Sequence, residues 1–399
     1  MAPDPAILGA AVLAAGAMWA RPVRNARGWR ATITPLASII GSGFLVLGPI
    51  LLISFGACAP LVMAGLCLAA WLFGAAIRLN IAELAAGPDL RSRPEERLEA
   101  IASALLGFAY MISVAYYLNL FGAFGLSLIA ADSPTGARLL TSAVFMLILV
   151  LGWTRGFRML ESLEYVSVSL KLAIIAGLLV GMALFLADRL AAGALILNPP
   201  RLSGTAALTL AFGLIVTVQG FETARYLGRE YDARTRIRAM RRAQWISGAI
   251  YMAYILLLAY AFPAGAIVPD ETAIIEMMEA VAPVLPLLLV AAALASQFSA
   301  AVADTGSSGG LLCELTRGRL SPRQVYALLT AVGLVLTWRA DLFEIIAYAS
   351  RAFAAYYAVQ ALIAALASRR RGRTGRGLAF LALALLGGAI ALFGEAAAA

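Results

Sequence analysis

The residues with the clearest chemical potential are charged side chains inside long apolar stretches. Lys171 is the only lysine in a chain with 30 arginines, and it lies in the otherwise uncharged run 166–180. A cation at the centre of a bilayer costs at least ~2.5–3.5 kcal/mol. A lysine there can lose and regain a proton, whereas an arginine stays charged. Lys171 is therefore a candidate for reversible protonation, with a structural ion pair as the alternative.

Asp304 and Arg351 are two further charges in apolar surroundings. Asp304 and Lys171 each lie 12 residues from the arginine-rich end of their own apolar run. At 1.5 Å per residue this is ~18 Å, so the two charges are expected at a similar depth. Arg351 is suited to bind an anionic group through two parallel hydrogen bonds. Alternatively, it forms a salt bridge with Glu344 or Asp304.

Tyrosines are a second group of candidate site residues, because their rings can line a binding pocket. Aromatic side chains at helical spacing more often pack against each other, so only Tyr116 and Tyr117 are predicted to line a site. The wider cluster also contains Tyr110, Tyr356 and Tyr357.

Several kinds of chemistry are excluded by what the chain lacks. It contains no histidine, so a Ser-His-Asp triad and an HExxH zinc site are impossible. Its three cysteines are scattered without a CxxC pair, which indicates neither a thiolate metal site nor a disulfide framework. We predict no catalytic residues, no metal site and no cofactor.

The elements that carry these residues must cross a membrane. The chain of 399 residues is 62% hydrophobic and 13% charged, whereas globular chains average about 25% charged residues. Runs 31–77, 100–131 and 243–269 contain no charge, and each exceeds the ~20 residues that span a bilayer. We therefore predict an all-α polytopic membrane protein in the lipid bilayer. The net charge of +9 does not indicate nucleic-acid binding, because the arginines lie in short loops between apolar runs.

Twelve apolar runs are candidate spans. Every second loop between them is rich in arginine, and the positive-inside bias places those loops in the cytoplasm. With run 32–56 numbered as span 1, the last run is span 11 and the C-terminus lies outside. The preference for arginine over lysine indicates a GC-rich bacterial genome, and hence the inner membrane. The runs are 5–20, 32–56, 58–86, 98–131, 137–154, 163–187, 203–228, 243–264, 281–313, 323–338, 341–368 and 377–394.

The first run, 5–20, has two interpretations. It is either a short extra span with the N-terminus outside or a helix that lies along the membrane. The arginine-rich stretch 21–30 that follows favours the span, because it fits a cytoplasmic loop. No basic segment precedes the run, so a cleaved signal peptide is not expected.

Spans 1 and 6 are each interrupted by glycine. Ile40, Gly41, Ser42 and Gly43 lie at the centre of span 1, and Gly220 lies in span 6. The interruptions are five spans apart, and a repeat of five spans must be inverted across the membrane. Interrupted spans at matching positions indicate the binding site of a secondary transporter, where freed backbone groups meet the substrate. The alternative is close helix packing at glycine.

These motifs resemble those of one transporter family. The run 40–44 is similar to the first-helix motif of the amino acid–polyamine–organocation (APC) superfamily. Residues 80–84 resemble the family's second helix, and Gly220, Phe221 and Glu222, with Glu230 and a basic loop after them, resemble its sixth. The chain departs from the family in loop 233–242, which lacks proline, and in having one helix after the ten-helix core. It is identified as a remote member.

The resemblance implies a LeuT-like 5+5 inverted repeat with broken helices 1 and 6. One C-terminal helix follows the repeats and, in one interpretation, an extra N-terminal helix precedes them. The predicted boundaries are 1–30 for the N-terminal segment with its basic loop, 31–187 and 203–368 for the two repeats, and 377–394 for the C-terminal helix.

The resemblance also implies roles for residues that couple transport to an ion. Lys171 would stand where relatives hold a sodium ion between helices 1 and 8, which makes transport proton-coupled or sodium-independent. Because helices 5 and 8 are neighbours in this fold, we predict a Lys171–Asp304 contact, direct or through water. Ser296 and Ser299 lie where sodium-coupled relatives place hydroxyl ligands. If Lys171 is turned away, Ser299 and the carbonyls near Ile40 would form a sodium site.

At the second break, the resemblance implies that Phe221 is an aromatic gate and Glu222 a proton-sensitive gate. The alternative for Glu222 is an ion pair with Arg225, one turn further on.

The predicted function is secondary active transport of an amino acid or related small organic solute, with H⁺ rather than Na⁺ as the coupling ion. An inorganic-ion transporter and a transport-inactive sensor on the same fold remain alternatives. An intramembrane enzyme is not expected, because Asp304 and Glu222 form neither a paired-aspartate nor a Ser–His arrangement. The predicted substrate-binding residues are Ile40, Gly41, Ser42, Gly43, Tyr116, Tyr117, Gly220, Phe221 and Arg351, and the predicted coupling residues are Lys171, Glu222, Ser299 and Asp304.

Overall fold

The computed structural model describes residues 4–41, 43–87, 91–127, 133–154 and 164–397, and every regular element in these ranges is a helix. A bilayer offers no water to bond backbone groups, so helices are the expected form for such apolar runs. The α-helices, in chain order, are α1 Asp4–Trp19, α2 Arg21–Arg24, α3 Arg27–Ile39, α4 Gly43–Phe55, α5 Ala59–Ala86, α6 Arg93–Ser127, α7 Pro134–Thr154, α8 Glu164–Ala191, α9 Gly204–Gly213, α10 Thr223–Tyr226, α11 Ala233–Ala259, α12 Ala273–Glu279, α13 Leu285–Leu315, α14 Pro322–Arg339, α15 Leu342–Arg370 and α16 Thr374–Phe393.

Seven stretches in the described part of the chain are long and apolar enough to cross a membrane, which confirms a multi-pass membrane protein. One of them, Gly43–Ala86, joins α4 and α5 through the short turn between them. The largest difference from the predicted runs is at α11, which begins at Ala233 rather than at residue 243. Its first three turns are rich in arginine, so hydropathy misses them. The carboxylate of Asp232 caps that helix by accepting a hydrogen bond from the Thr235 amide.

Both predicted interruptions are present. Span 1 consists of α3 and α4, and the backbone leaves the helix at Ile40, with φ −84° and ψ 62°. Span 6 consists of α9, a 3₁₀ turn at Ile215–Val218 and the short α10, with extended backbone at Gln219. Gly220 has φ 113°, a conformation that side-chain-bearing residues rarely adopt. The structure leaves Ser42 outside the described residues.

The two breaks pack directly against each other. A Cβ atom at Gly220 would lie 2.5 Å from the backbone carbon of Ser38. A Cβ atom at Gly43 would lie 3.1 Å from the Cα atom of Thr217. Both interpretations of the glycines therefore hold. Glycine permits the unwound backbone, and it also permits spans 1 and 6 to approach each other closely.

The N-terminal helix α1 packs antiparallel along α8. Ile7 is buried against Gly177 and Gly181, and at the other end the hydroxyl of Tyr165 donates a hydrogen bond to the Met18 carbonyl. Among the described helices, α8 has the length and hydropathy of a span, whereas α1 is a shorter apolar helix. That run 5–20 crosses the membrane stays a prediction.

The long helices of both predicted repeats form one packed body. In its centre α6 lies between α13 and α15, while α11 packs on α3 and α5, and α16 lies along α15. The broken helices are enclosed by this frame. The inverted relation between residues 31–187 and 203–368 stays a prediction.

Candidate functional site

Lys171 joins the break of span 1 to α13. Its Nζ atom donates hydrogen bonds of 3.0 Å to the Ala37 carbonyl, on α3, and of 3.0 Å to the Ser296 hydroxyl, on α13. Within a continuous helix the Ala37 carbonyl would accept from the amide of residue 41, but α3 ends at Ile39. The broken helix thus frees a carbonyl, and the lysine binds it. The side chain of Lys171 is 7% exposed.

The predicted direct contact between Lys171 and Asp304 is wrong. The carboxylate of Asp304 accepts a hydrogen bond from the Ser113 hydroxyl, on α6, instead. Ser296 precedes Asp304 by eight residues, or ~12 Å along α13. Counting residues from the helix ends gives equal depth only when both ends lie at one level and both helices have the same tilt. Ser296, one turn before Ser299, is the hydroxyl that meets the lysine.

A small cavity lies beside Lys171, between the break of span 1 and α13. Its volume is about 20 Å³, which is enough for one water molecule. Polar groups meet it from Lys171 and Ser296, and Gly41 opens it towards the break. Its remaining walls are apolar: Phe44, Leu45, Ile174, Ile175, Leu289, Ala292 and Ala293.

Glu222 lies in the break of span 6 and is fully buried. Its Oε2 atom accepts hydrogen bonds from the Gly220 amide, at 3.0 Å, and from the Tyr357 hydroxyl, at 2.8 Å. The alternative pairing with Arg225 is wrong, because Arg225 forms an ion pair of 2.5 Å with Glu99. The side chain of Glu222 folds back to the amide of Gly220, two residues earlier, and therefore points away from Arg225.

Glu222 and Asp304 are two buried carboxyl groups. The Oε1 atom of Glu222 has no hydrogen-bond partner among the described residues. Burial disfavours the ionised form of a carboxyl group. Each of the two groups is therefore suited to hold a proton or to face a cation. Among the described residues, no group of three or more His, Cys, Asp and Glu side chains is close enough to hold a metal ion.

The predicted aromatic residues meet at the breaks. The Gln219 amide donates to the Tyr117 hydroxyl at 3.3 Å, and the Tyr116 hydroxyl lies 2.8 Å from where a Cβ atom of Gly43 would be. Phe221 stacks on Tyr357 with ring centres 5.1 Å apart. Tyr116, Tyr117 and Phe221 are thus brought together with the unwound backbone of both spans.

Arg351 is not part of this site. Its side chain is exposed, and Nε donates to the Ala391 carbonyl on α16 at 2.8 Å. The preceding residue, Ser350, faces the break instead. Its hydroxyl donates to the Gly213 carbonyl at 2.6 Å and accepts from the Val216 amide at 3.0 Å. One residue is a rotation of 100° on a helix, so the charge turns outward and the hydroxyl turns inward.

Tyr251, on α11, was missed by sequence reasoning although it touches both breaks. Its hydroxyl lies 2.9 Å from the Ile39 carbonyl and 2.6 Å from the Thr217 carbonyl. A hydroxyl has one proton, so it donates to one of these carbonyls at a time. Tyr251 and Tyr254 are three residues apart in an apolar run, and that spacing was the available signal. A tyrosine in lipid needs a partner for its hydroxyl.

Comparison with known proteins yields a family model and a relative that each match most of the chain. A model described as an APC superfamily transporter matches residues 21–394. An uncharacterized protein of Aquifex aeolicus (strain VF5) is 42% identical over 350 residues, which cover 85% of this chain and 84% of that protein.

Solved structures of a manganese transporter from Eremococcus coleocola share the fold. In a complex with an aromatic bis-isothiourea compound, that transporter aligns with a TM-score of 0.59 and 17% identity, over 90% of this chain and 85% of its own. A point mutant aligns with a TM-score of 0.60 and 15% identity, over 91% and 87%. At such identities the likeness concerns the fold alone.

Proposed function

The chain belongs to the APC superfamily of membrane transporters, and we propose that it is a secondary active transporter of an amino acid or a related small organic solute, coupled to H⁺ or independent of Na⁺. The observation that carries this proposal is the position of Lys171, whose ammonium group binds the freed Ala37 carbonyl and the Ser296 hydroxyl. No enzymatic activity is part of the proposal.

The substrate site in this proposal lies at the two breaks. The N-terminus of α4, at Gly43, carries partial positive charge and suits a carboxylate. Carbonyls at the ends of α3 and the 3₁₀ turn suit an ammonium group, and the Tyr251 hydroxyl marks where two of them converge. Tyr116, Tyr117 and Phe221 supply the apolar walls. A zwitterion matches this combination of backbone and aromatic groups.

Coupling would act through the proton on Lys171. A charged ammonium donates to both of its oxygen partners, whereas the lone pair of a neutral amine can accept a hydrogen bond from the Ser296 hydroxyl. The carbonyl of Ala37 can only accept, so its bond to the amine weakens when the proton leaves. Deprotonation would therefore loosen the contact of α8 with α3 while α8 and α13 stay joined. This links the proton to the movement of the broken span.

The competing proposal is a transporter of an inorganic cation. Glu222 and Asp304 favour it, because carboxylate and carbonyl oxygens suit a hard divalent cation. Structures of a manganese transporter are among the solved structures that share the fold. Lys171 opposes a cationic substrate through charge repulsion, whereas Arg351 lies outside the site and does not. A sensor that has lost transport is the third possibility.

Uptake into proteoliposomes separates these functions. Wild type, Lys171→Ala and the matched control Arg351→Ala would be tested with a labelled amino-acid mixture and with Mn²⁺, under a pH gradient and then under a Na⁺ gradient. We expect proton-driven amino-acid uptake in wild type and in Arg351→Ala, and loss of at least tenfold in Lys171→Ala. A requirement for Na⁺ would refute the coupling scheme. Uptake of Mn²⁺ alone would refute the organic solute, and no uptake of either would favour the sensor.

The orientation in this proposal places the arginine-rich loops in the cytoplasm of a bacterium, the chain in its inner membrane, and the C-terminus outside. Ion pairs at one end of the bundle support a common arginine-rich side, since Glu83 binds Arg371 at 2.8 Å and Glu99 binds Arg225 at 2.5 Å. Labelling in intact cells of single cysteines introduced at Gly265 and Gly372, in a variant with Cys58, Cys67 and Cys313 replaced by serine, would test it. An impermeant reagent should reach only position 265.

A further inference from the structure

A second cavity lies far from the breaks, at the arginine-rich side of the bundle. Its volume is about 570 Å³, and it opens between α5, α11 and the turn that joins α15 to α16. None of the residues that surround it belongs to the proposed transport site. The lining residues are Trp71, Ala75, Arg78, Leu79, Ala82, Glu83, Ala86, Ile237, Arg241, Arg371, Arg373 and Arg376.

The cavity has a large excess of positive charge. Five arginines and one glutamate line it, which is a net charge of +4. The glutamate, Glu83, is already engaged by Arg371 at 2.8 Å and by Arg370 at 3.2 Å. Because Glu83 is already paired with these two arginines, its negative charge does not neutralise Arg78, Arg241, Arg373 or Arg376. Such a concentration of guanidinium groups attracts an anion.

Arg78 is the innermost of these arginines and is 7% exposed. It donates to the Gln244 amide oxygen and, at 3.3 Å, to the Trp71 carbonyl. Its guanidinium also lies 4.5 Å from the Trp71 ring centre. In the described part of the chain, no carboxylate forms an ion pair with it. Neutral groups thus orient Arg78, while its charge remains available to an anion in the cavity.

The depth of the cavity matches the headgroup layer of a membrane. Arg78 lies eight residues before the end of α5, and Arg241 lies eight residues after the start of α11, or ~12 Å from each helix end. Trp71 and Trp245 pair further inside, with ring centres 5.2 Å apart. Tryptophan concentrates at the boundary between headgroups and acyl chains, so the arginines lie at headgroup level.

We propose that this cavity binds the headgroup phosphate of an anionic phospholipid. Arginine recognises phosphate through two parallel hydrogen bonds, and basic pockets between membrane helices commonly hold anionic headgroups. A lipid is favoured over a soluble phosphate because the same wall of α5 continues inward through Leu79, Ala75 and Trp71. These apolar residues cover the glycerol and the first acyl carbons.

The bound lipid would join the two predicted repeats. The wall formed by α5 belongs to residues 31–187, whereas Arg241 on α11 and the turn after α15 belong to or follow residues 203–368. A phosphate held by arginines from both would oppose their separation. The site therefore acts on stability even where transport is not measured, and its test is independent of the proposed function.

The test uses the purified full chain in detergent. Retained phosphatidylglycerol or phosphatidylcholine would be counted by native mass spectrometry, and thermal unfolding would be followed with each lipid. The variant Arg373→Gln/Arg376→Gln removes two arginines at the cavity mouth, where folding does not depend on a buried charge. The matched control Arg319→Gln/Arg323→Gln removes two exposed arginines at the start of α14, in another arginine-rich segment.

We expect wild type to retain phosphatidylglycerol and to unfold at a higher temperature with it. The Arg373→Gln/Arg376→Gln variant should bind it about 30-fold more weakly, at roughly fivefold for each arginine, and the control should remain within about twofold. Equal retention of phosphatidylcholine, or an equal loss in the control, would overturn the proposal. Stabilisation by inorganic phosphate alone, with displacement of the lipid, would show a site for a soluble anion instead.

Discussion

Two buried cations near the broken spans are held in different ways. Arg225 pairs with the Glu99 carboxylate at 2.5 Å and donates to the Gln360 side chain at 2.7 Å. Lys171 donates to a carbonyl and a hydroxyl, each at 3.0 Å. A guanidinium opposite a carboxylate has a fixed charge, and separating the two leaves a buried charge behind. An amine bound by neutral oxygens tolerates both of its protonation states.

The difference separates a fixed region from a switchable one. At the arginine-rich side, ion pairs connect α5, α6 and α15 through Glu83, Glu95 and Arg370. At the breaks, apart from those of Lys171 and Glu222, the polar contacts described above are between neutral groups: backbone carbonyls and amides, hydroxyls and the Gln219 side chain. We infer that the first region anchors the helices while the second can rearrange during transport.

Gly220→Ala should cause the largest loss of stability, because it disrupts the packing of the two breaks against each other. The new methyl group would lie 2.5 Å from the Ser38 carbonyl carbon, and φ of 113° is strained for alanine. We expect a loss of more than about 3 kcal/mol in the free energy of unfolding, or no folded protein. Gly193→Ala is the control, because Gly193 has φ 64° and open space around it. A similar loss in both variants would contradict the packing of the two breaks.

The contrast between the two cations is tested by removing each. Arg225→Ala leaves the Glu99 carboxylate without its shortest ion pair, and we expect a loss of about 3 kcal/mol in stability. Lys171→Met keeps the apolar stem and removes the hydrogen bonds to the Ala37 carbonyl and the Ser296 hydroxyl, which are both neutral groups, so its loss should be about half as large or less. Thermal unfolding in detergent measures both. The comparison fails if Lys171→Met is the more damaging change.

Tyr251→Phe should have an intermediate effect at the breaks. It removes the hydroxyl that contacts the Ile39 and Thr217 carbonyls, and we expect a loss of about 1–2 kcal/mol with slower uptake. Tyr254→Phe is the matched control, since its hydroxyl makes one long contact of 3.5 Å with the Leu45 carbonyl. Equal effects on unfolding and uptake in the two variants would remove Tyr251 from the site.

The smallest effect concerns the Asp232 cap of α11, at the arginine-rich side. Hydrogen bonds from the Thr235 amide and hydroxyl lower the pKa of the Asp232 carboxyl. Its contribution to stability is therefore full above the unfolded pKa of about 3.9 and is lost as pH falls through the lower folded pKa. Asp232→Asn keeps a good cap and should remove this part of the acid sensitivity. If Asp232→Asn unfolds in acid at the same pH as wild type, the Asp232 carboxylate does not contribute to the acid sensitivity of the protein.

Much of this molecule could be predicted from residue types alone. Gly41, Gly43 and Gly220 marked both breaks, because unwound backbone in a span requires glycine or a special site. Lys171 and Arg351 were both selected because each is a charge inside an apolar run. Lys171 contacts the break of span 1, whereas Arg351 is exposed. A charge in an apolar run indicates either a site or an outward turn, and residue type cannot distinguish the two.

The sequence by itself determined that the chain crosses a membrane many times and where two of its spans break, because both depend on local composition. Tertiary structure decided which side chains face the breaks. Ser296 rather than Asp304 meets Lys171, and Ser350 rather than Arg351 faces span 6. These choices depend on helix tilt and rotation. The packing of neighbouring helices sets the tilt and the rotation of each helix. Counting residues along a single span gives no information on either.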